Sequence, residues 1–231
     1  MAELEYVNGI ALPAQWGGRL CLDFTNTIEP RDDIAPNQRS PHAHKLVRRE
    51  YLGTYAALAA WGVQVGTVSS EVAQHLIDLA AQHPAAAQLA LDRALELRET
   101  IYRIFWRIAH GQTPASDDMT ILMHAVAETT PYVQIVVDGE QLAWQWQADE
   151  ALDQMIRPVL SDAVALLVRG DPNRIKFCPG PPDEPICGWL FYDGSKNRSR
   201  HWCSMGECGS GAKSRRQTAR RRAARAEQKT T

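Results

Sequence analysis

The sequence lacks long apolar runs, a secretion signal and the common catalytic motifs. No run approaches the roughly 20 apolar residues that a membrane-spanning helix needs, and the N-terminus has neither the basic nor the apolar region of a signal peptide. We therefore expect a cytoplasmic protein without a membrane partner. Nucleophile elbows, phosphate-binding glycine loops and His-Glu-x-x-His pairs are also absent, and no side chain stands out as a nucleophile. These absences favour a binding protein over an enzyme.

Cysteine is scarce as well, and its distribution is uneven. The chain has five cysteines, and Cys21 is the only one before residue 178. Its apolar neighbours indicate a buried side chain. The other four follow a C-x8-C…C-x4-C pattern, and they are Cys178, Cys187, Cys203 and Cys208. Four thiolates form the closed tetrahedral set that structural zinc prefers, whereas disulfides are rare in a reducing cytosol, so the pattern predicts one structural Zn²⁺ ion.

Basic residues are scarce in the first three quarters of the chain and concentrated in the last. Residues 1–173 contain 12 Lys and Arg against 22 Asp and Glu, whereas residues 174–231 contain 13 against 5. The C-terminal part therefore attracts polyanions such as nucleic acids, while the rest of the chain repels them. A basic tail that only improves solubility is the simpler alternative.

The basic side chains form two groups around the second cysteine pair. Lys196, Arg198 and Arg200 lie between the two cysteine pairs, where they would contact phosphates. The second group follows Cys208 in a segment with helical periodicity, and it comprises Lys213, Arg215, Arg216, Arg220, Arg221, Arg222 and Arg225. We interpret both groups as nucleic-acid-binding residues, because each phosphate contact adds a salt-dependent contribution to affinity.

Three aromatic residues near the cysteines, Trp189, Tyr192 and Trp202, have two interpretations. They would stack on unpaired bases if this part of the chain binds single-stranded nucleic acid. Alternatively, they form the small hydrophobic interior that a module of this size needs. We favour the second interpretation.

Hydrophobic periodicity predicts that most of the chain before the cysteines is helical. Leu97, Ile101 and Phe105 fall on one face of a long helix over residues 84–110. The other predicted helices span residues 45–61, 69–82, 116–127 and 149–169. Pro158 lies inside the last of these and removes one backbone donor, so we expect a kink there.

Strand signals are fewer. Residues 20–24 alternate between apolar and other side chains, which predicts a strand. Asp138-Gly139 separates two alternating segments and predicts a β-hairpin over residues 132–146. Residues 175–178 and 189–193 would form two short strands that bring the first cysteine pair together.

These patterns predict an α+β fold in two domains. Residues 1–173 form a mostly helical domain with a small antiparallel sheet. Residues 174–231 form a small zinc-ribbon-like four-cysteine module with a C-terminal basic helix. Because the module is small and charged, zinc would supply most of its folding free energy, and we expect chelation to unfold residues 174–210 alone.

Within the first domain, two pairs of residues are candidates for binding. His42 and His44 are spaced for a metal, although exposure in a proline-rich loop is the more economical interpretation. Asp23 and Asn26 would bind a small ligand or, equally well, cap and brace turns. A small-molecule enzyme with an appended module remains a minor alternative.

The C-terminal residues resemble the CGNR zinc finger. The similarity is carried by residues 187–193, 195–200, 202–205 and 208–209. The upstream segment Gly17–Thr27 resembles the opening of the ABATE domain, which usually precedes that finger in bacterial proteins. This resemblance implies a stress-induced transcription regulator whose finger binds DNA and whose N-terminal domain senses an unidentified ligand.

The chain departs from the family pattern in two places: the C-x8-C loop between Cys178 and Cys187 is expanded, and Ser210 and Gly211 stand where the motif has Asn and Arg. If those two residues contact nucleic acid in the family, their role passes to Lys213, Arg215 and Arg216. Family members are also described as zinc-ribbon RNA binders, so RNA is the alternative partner to DNA. A homodimer would double the phosphate contacts, although no heptad repeat indicates one.

Overall fold

The computed structural model describes residues 3–31, 48–139, 141–180 and 187–209. Six α-helices lie within them: α1 (Leu20–Thr25), α2 (Tyr55–Gln64), α3 (Ser70–Gln82), α4 (Pro84–Ala109), α5 (Ser116–Thr129) and α6 (Arg157–Arg169). Eight short strands form four antiparallel pairs: β1 (Leu4–Val7) with β2 (Ile10–Pro13), β3 (Ile28–Glu29) with β4 (Arg49–Glu50), β5 (Val133–Asp138) with β6 (Gln141–Trp146), and β7 (Ile175–Phe177) with β8 (Leu190–Tyr192). The predicted α+β class is confirmed. No helix in these ranges is both long and apolar enough to cross a membrane.

Helix α4 organises the main core. Its predicted apolar face is buried, including Leu97, Ile101 and Phe105. Helices α1, α2, α3 and α5 pack against α4, and α6 packs against α1 and α5. Phe24 of α1 and Trp61 of α2 meet with ring centroids 5.0 Å apart. The burial of this one face explains why the 3.6-residue period of α4 is visible in the sequence.

Several elements match their predicted ranges. Helices α3, α4 and α5 begin and end within two residues of the predicted bounds. The Ser69 side chain accepts a hydrogen bond from the Val72 N–H and caps α3. The β5–β6 hairpin forms around Gly139, whose φ of 60° suits the tight turn.

The predicted strand over residues 20–24 is wrong, because this segment forms helix α1. Cys21, Leu22 and Phe24 are all fully buried, so the helix meets the core on more than one side and shows no helical period in its sequence. Asp162 of α6 holds its start, because one carboxylate oxygen accepts from the Cys21 N–H at 2.9 Å. Tertiary packing therefore overrides the local alternation. The prediction that Cys21 is buried is confirmed.

Helix α2 begins later than predicted, at Tyr55 rather than residue 45. Residues 45–47 lie outside the described ranges, and Arg49–Glu50 form strand β4 instead of a helical turn. The Thr54 hydroxyl accepts a hydrogen bond from the Ala57 N–H at 3.2 Å and caps the helix. The signal that predicts this boundary is the Gly-Thr pair immediately before α2.

The predicted kinked helix over residues 149–169 is also shorter. Residues 154–156 form a 3₁₀ turn, and α6 begins at Arg157. Pro158 therefore occupies the first turn, where its missing N–H is not needed, and it causes no kink. Asp149 lies outside the helix, where its carboxylate accepts a hydrogen bond from the Arg157 guanidinium at 2.6 Å.

The cysteine-bearing segment packs on the helices. Strand β7 contacts α4, and β8 contacts α1. Ile175 and Leu190 belong to the same buried cluster as the apolar face of α4. A second, smaller cluster surrounds the cysteines. This shared core argues against the independent unfolding of residues 174–210 that the sequence led us to expect.

Candidate metal centre

Four cysteine side chains meet at one point. Their sulfur atoms all lie within 4.8 Å of one another, and the four residues are Cys178, Cys187, Cys203 and Cys208. Cys187 Sγ lies 3.8 Å from Cys203 Sγ, which in turn lies 3.7 Å from Cys208 Sγ. A tetrahedral zinc ion with Zn–S bonds of about 2.3 Å separates its sulfurs by about 3.8 Å, so the thiols fit this ion. These four residues are the ones that would hold it.

The first cysteine pair is positioned by the β7–β8 ladder. Cys178 directly follows β7, and its N–H donates to the Trp189 carbonyl at 2.7 Å. The Cys178 carbonyl accepts from the Gly188 N–H at 3.0 Å. Gly188 follows Cys187 and has a φ of 73°, which other residues rarely adopt. A residue with a side chain would be strained at this φ, so the turn after Cys187 requires glycine.

The second cysteine pair lies in one tight turn. Cys203 and Cys208 are both buried. Ser204 closes the turn twice, because its hydroxyl accepts from the Glu207 N–H at 3.3 Å and its carbonyl accepts from the Gly209 N–H at 3.0 Å. Ser204 therefore closes the turn that contains both thiols.

The thiols interact directly with one another within the cluster. Hydrogen bonds from the other three thiols hold the pKa of Cys178 well below its usual range. The bond to Cys178 and those to the remaining thiols raise the pKa of Cys187 well above its usual range. These opposite shifts show that the sulfurs interact strongly with one another. A bound zinc ion would replace thiol protons at this site and cross-link four thiolates.

Aromatic rings form the interior next to the cysteines. Trp189 and Phe191 are fully buried, and Trp189 packs against Trp16 with ring centroids 6.1 Å apart. Tyr192 and Trp202 are half-buried. The interpretation of these rings as a hydrophobic interior is confirmed for Trp189. The half-buried rings leave part of their surface accessible.

Asp193 organises the loop that follows β8. Its carboxylate is fully buried and accepts from Lys176 Nζ at 2.6 Å, from the Ser195 hydroxyl at 2.6 Å and from the backbone N–H groups of Ser195 and Arg200, each at 3.0 Å. Burial opposes the charged carboxylate, but the hydrogen bonds from Lys176 and Ser195 prevail and hold the pKa of Asp193 below its usual range. Our sequence reasoning missed this residue. The Asp-Gly-Ser sequence, which is typical of side-chain-stabilised turns, was its only signal.

Two of the predicted basic loop residues are exposed. Lys196 and Arg198 project from the loop between the cysteine pairs. Arg198 pairs with the Asp171 carboxylate, Nη2 to Oδ2, at 2.8 Å. Surface pairs of this kind are weak, so the guanidinium can exchange its partner for a phosphate.

Arg200, the third predicted loop residue, is engaged within the protein. Its guanidinium donates to the Trp16 carbonyl at 2.6 Å, to the Trp202 carbonyl at 3.0 Å and to the Cys203 carbonyl. It also lies over the Phe191 ring, with 4.5 Å between its central carbon and the ring centroid. These contacts make Arg200 a structural brace of the second cysteine pair.

Side chains of the helical part hold strand β8 in place. The Asn26 amide donates to the Leu190 carbonyl at 2.8 Å, and its oxygen accepts from the Leu190 N–H at 3.0 Å. Trp189 Nε1 donates to the Ile28 carbonyl at 2.8 Å. Of the two roles that the sequence left open for Asn26, these bonds support the bracing role.

A buried arginine lies beneath the first cysteine pair. The Arg31 backbone N–H donates to the Cys187 carbonyl at 3.2 Å, and its guanidinium lies 4.0 Å from the Tyr102 ring centroid. The Tyr102 hydroxyl donates to the Gly188 carbonyl at 3.0 Å. Burial outweighs the neighbouring Glu99 carboxylate and lowers the pKa of Arg31 to about 10. A single arginine in a proline-rich segment gave no signal of this role.

Apart from Asp23, which lies in α1, the other predicted site residues lie outside the described ranges. They are the metal-pair candidates His42 and His44, the motif departures Ser210 and Gly211, and the basic arm formed by Lys213, Arg215, Arg216, Arg220, Arg221, Arg222 and Arg225. The interpretation of the arm as a helix that binds nucleic acid stays a prediction.

Two family models match the chain. One, named ABATE and described as "Putative stress-induced transcription regulator", matches residues 18–170, and the CGNR zinc finger model matches residues 174–221. No curated protein matches the sequence. The zinc finger match and the sulfur geometry together confirm the predicted structural zinc. The chain therefore belongs to the ABATE family and carries a CGNR zinc finger.

Proposed function

We propose that this protein is a zinc-dependent, DNA-binding transcription regulator that acts in the cytoplasm. In this proposal residues 174–231 contact DNA and residues 1–173 regulate that contact. The observation that carries it is the closed set of four thiols, which leaves no ligand position open for a substrate. The site is therefore suited to hold structure rather than to catalyse a reaction.

The charge around the metal centre supports a polyanionic partner. Lys196 and Arg198 are exposed in the loop before Cys203. Lys213 is the first residue of the basic arm and follows Cys208 by only five positions. Zinc would thus anchor two cationic segments next to each other, and each phosphate that they neutralise would add a salt-dependent increment to affinity. Arg200 is left out of this set because its Nε and Nη2 already donate to backbone carbonyls of the protein.

Fluorescence anisotropy with duplex DNA over a salt series tests the proposal. The zinc-loaded protein should bind, and chelation should weaken binding, because the arm would lose its anchor. Replacing Arg215 and Arg216 with Ala should reduce the slope of log affinity against log salt by about 2, roughly one for each lost phosphate contact.

The matched control for these substitutions is Arg93→Ala on α4, which also removes an arginine and lies in the helical part. It should leave both the affinity and the salt slope unchanged. Binding that is unaffected by chelation and identical for every DNA sequence would contradict the proposed regulatory function. It would indicate that the arm binds polyanions without sequence preference.

RNA is the second candidate partner, favoured by one observation. His201 is exposed and Trp202 is half-buried, and their rings meet edge to face with centroids 5.8 Å apart. Such rings can stack on unpaired bases. If RNA is the partner, Trp202→Ala should weaken binding to single-stranded RNA about tenfold or more, and duplex DNA should bind no better than RNA.

A further inference from the structure

One face of the β5–β6 hairpin is apolar and exposed. In the antiparallel register Ile135 lies opposite Trp144, and Val137 lies opposite Leu142, so the four side chains share one face. Their exposed fractions are 60% for Ile135, 75% for Val137, 74% for Leu142 and 65% for Trp144. We call this surface the apolar hairpin face. Contiguous apolar patches of this kind mark interaction sites on soluble proteins.

The hairpin is attached through its base. The Arg157 guanidinium lies 3.8 Å from the Tyr132 ring centroid and donates to the Gln147 carbonyl at 3.1 Å and to the Asp149 carboxylate at 2.6 Å. Among the described residues, no side chain of β5 or β6 belongs to the main core or packs against it. An isolated two-stranded hairpin is only marginally stable in water, so a partner that covers its apolar face would stabilise it.

The charge of the hairpin narrows the choice of partner. Residues 133–146 contain no Lys or Arg, and their two acidic residues, Asp138 and Glu140, flank the turn glycine. Nucleic acids and anionic membranes recruit basic surfaces, which this hairpin lacks. An uncharged face also meets a copy of itself without the repulsion that like charges would cause.

The rest of the chain offers little to cover this face. Residues 210–231 contain no aromatic and no large aliphatic side chain. The other undescribed internal ranges contribute four large aliphatic residues in total, Ile34, Leu46, Val47 and Ile186. These residues are spread over two segments that are otherwise polar or proline-rich. A second copy of the chain, in contrast, supplies an identical face.

The area of the apolar hairpin face suits a small symmetric interface. At the exposed fractions given above, its four side chains present on the order of 500 Å² in each copy, so two copies would bury about 1,000 Å², the lower limit of specific interfaces. Trp144 supplies the large aromatic anchor that such interfaces favour. We propose that the apolar hairpin face is a homodimer interface, on which the same face of a second copy packs sheet to sheet.

Sedimentation velocity of the zinc-loaded full chain over a concentration series tests the proposal. We expect the native protein to dimerise with a dissociation constant in the micromolar range, roughly as the area suggests. Leu142→Lys should weaken the dimer about 100-fold or more, because two charges would be buried against each other. The matched control is Gln145→Lys, which adds the same charge to the same strand on the opposite face and should leave the dimer unchanged.

A complementary pair of variants separates interface loss from misfolding. Leu142→Lys and Leu142→Glu should each be monomeric, with far-ultraviolet circular dichroism like that of the native protein, and their mixture should regain dimers. The proposal is overturned if the native protein stays monomeric at every concentration, if Gln145→Lys disrupts the dimer equally, or if the mixture of folded variants stays monomeric. Binding of the native monomer to phosphatidylcholine vesicles would assign the face to a lipid surface and would equally overturn it.

Discussion

Asp23 carries a buried carboxylate at the start of α1. Its Oδ1 accepts a hydrogen bond from the Gly17 N–H at 2.7 Å. A Cβ at Gly17 would lie 2.7 Å from the Asp23 backbone nitrogen, so this approach requires glycine. The hydrogen bond supports the turn-bracing role for Asp23 over the ligand-binding role. Burial and, to a smaller extent, the nearby Asp162 carboxylate raise the pKa of Asp23 to about 7, although the Gly17 hydrogen bond and the Arg200 charge lower it.

This pKa predicts how stability depends on pH. A carboxyl group whose pKa is higher in the folded than in the unfolded protein binds its proton preferentially when folded, so stability falls as pH rises from about 4 to about 7. In Asp23→Asn the amide oxygen can still accept from Gly17, but it cannot ionise. We expect the variant to gain stability relative to the native protein by up to about 1.4 kcal/mol per pH unit in this window.

Urea unfolding between about pH 5.5 and pH 8 measures this gain. Asp117→Asn is the control, because Asp117 is exposed in the first turn of α5 and its substitution should leave the slope unchanged. Parallel pH profiles for the native protein and Asp23→Asn would show that this carboxylate does not titrate in the window.

At the scale of elements, a stack of three rings joins α4 to β7. His110 lies at the C-terminal end of α4, with its ring centroid 4.0 Å from that of Trp106 and 4.4 Å from that of Phe177. Its Nδ1 lies 2.7 Å from the Trp106 carbonyl oxygen. The stack connects the long helix directly to the strand that precedes Cys178.

Replacing this central ring should weaken the attachment. We expect His110→Ala to lower the free energy of unfolding by about 1–2 kcal/mol, because two ring contacts are lost. His124→Ala removes the same side chain from α5, where it is 78% exposed, and should change stability by less than about 0.5 kcal/mol. Denaturant unfolding of both variants tests this, and equal effects would show that the stack contributes nothing.

Sequence patterns predicted the elements in which one face differs from the other. They missed the features that depend on contacts between residues far apart in the chain. Helix α4 and the β5–β6 hairpin show their periods because one face of each differs from the other. Helix α1 hides its period because it is buried on more than one side. The thiol cluster was predictable from cysteine spacing, whereas Asn26 braces a residue 164 positions away, and no local pattern encodes that contact.

At the scale of the whole molecule, the metal centre and the helices share their interior. Leu190 belongs to the main core, while its neighbours Trp189 and Phe191 belong to the cluster around the cysteines. Arg31 and Tyr102 connect the two clusters through hydrogen bonds to Cys187 and Gly188. Loss of order at the metal therefore removes contacts that the helices use.

Zinc removal should accordingly destabilise the helical part as well. We expect Cys208→Ser, or chelation of the native protein, to lower the thermal midpoint of the helical circular dichroism signal by about 5 °C or more. Met205→Ser is the control, because Met205 is exposed in the same turn and is no metal ligand. A helical signal that melts at an unchanged temperature after complete zinc loss would restore the independent-module interpretation.

The Asn26 side chain has a further consequence for β8. An outer strand with free N–H and C=O groups can pair with a strand from another chain. Here Asn26 occupies both outward groups of Leu190, and the Tyr192 N–H donates to the Gly17 carbonyl at 2.7 Å. One amide side chain and one loop carbonyl thus make the hydrogen bonds that a third strand would otherwise make to β8. The zinc finger is therefore closed to partners that bind by adding a strand along this edge, and it is protected from aggregating through it.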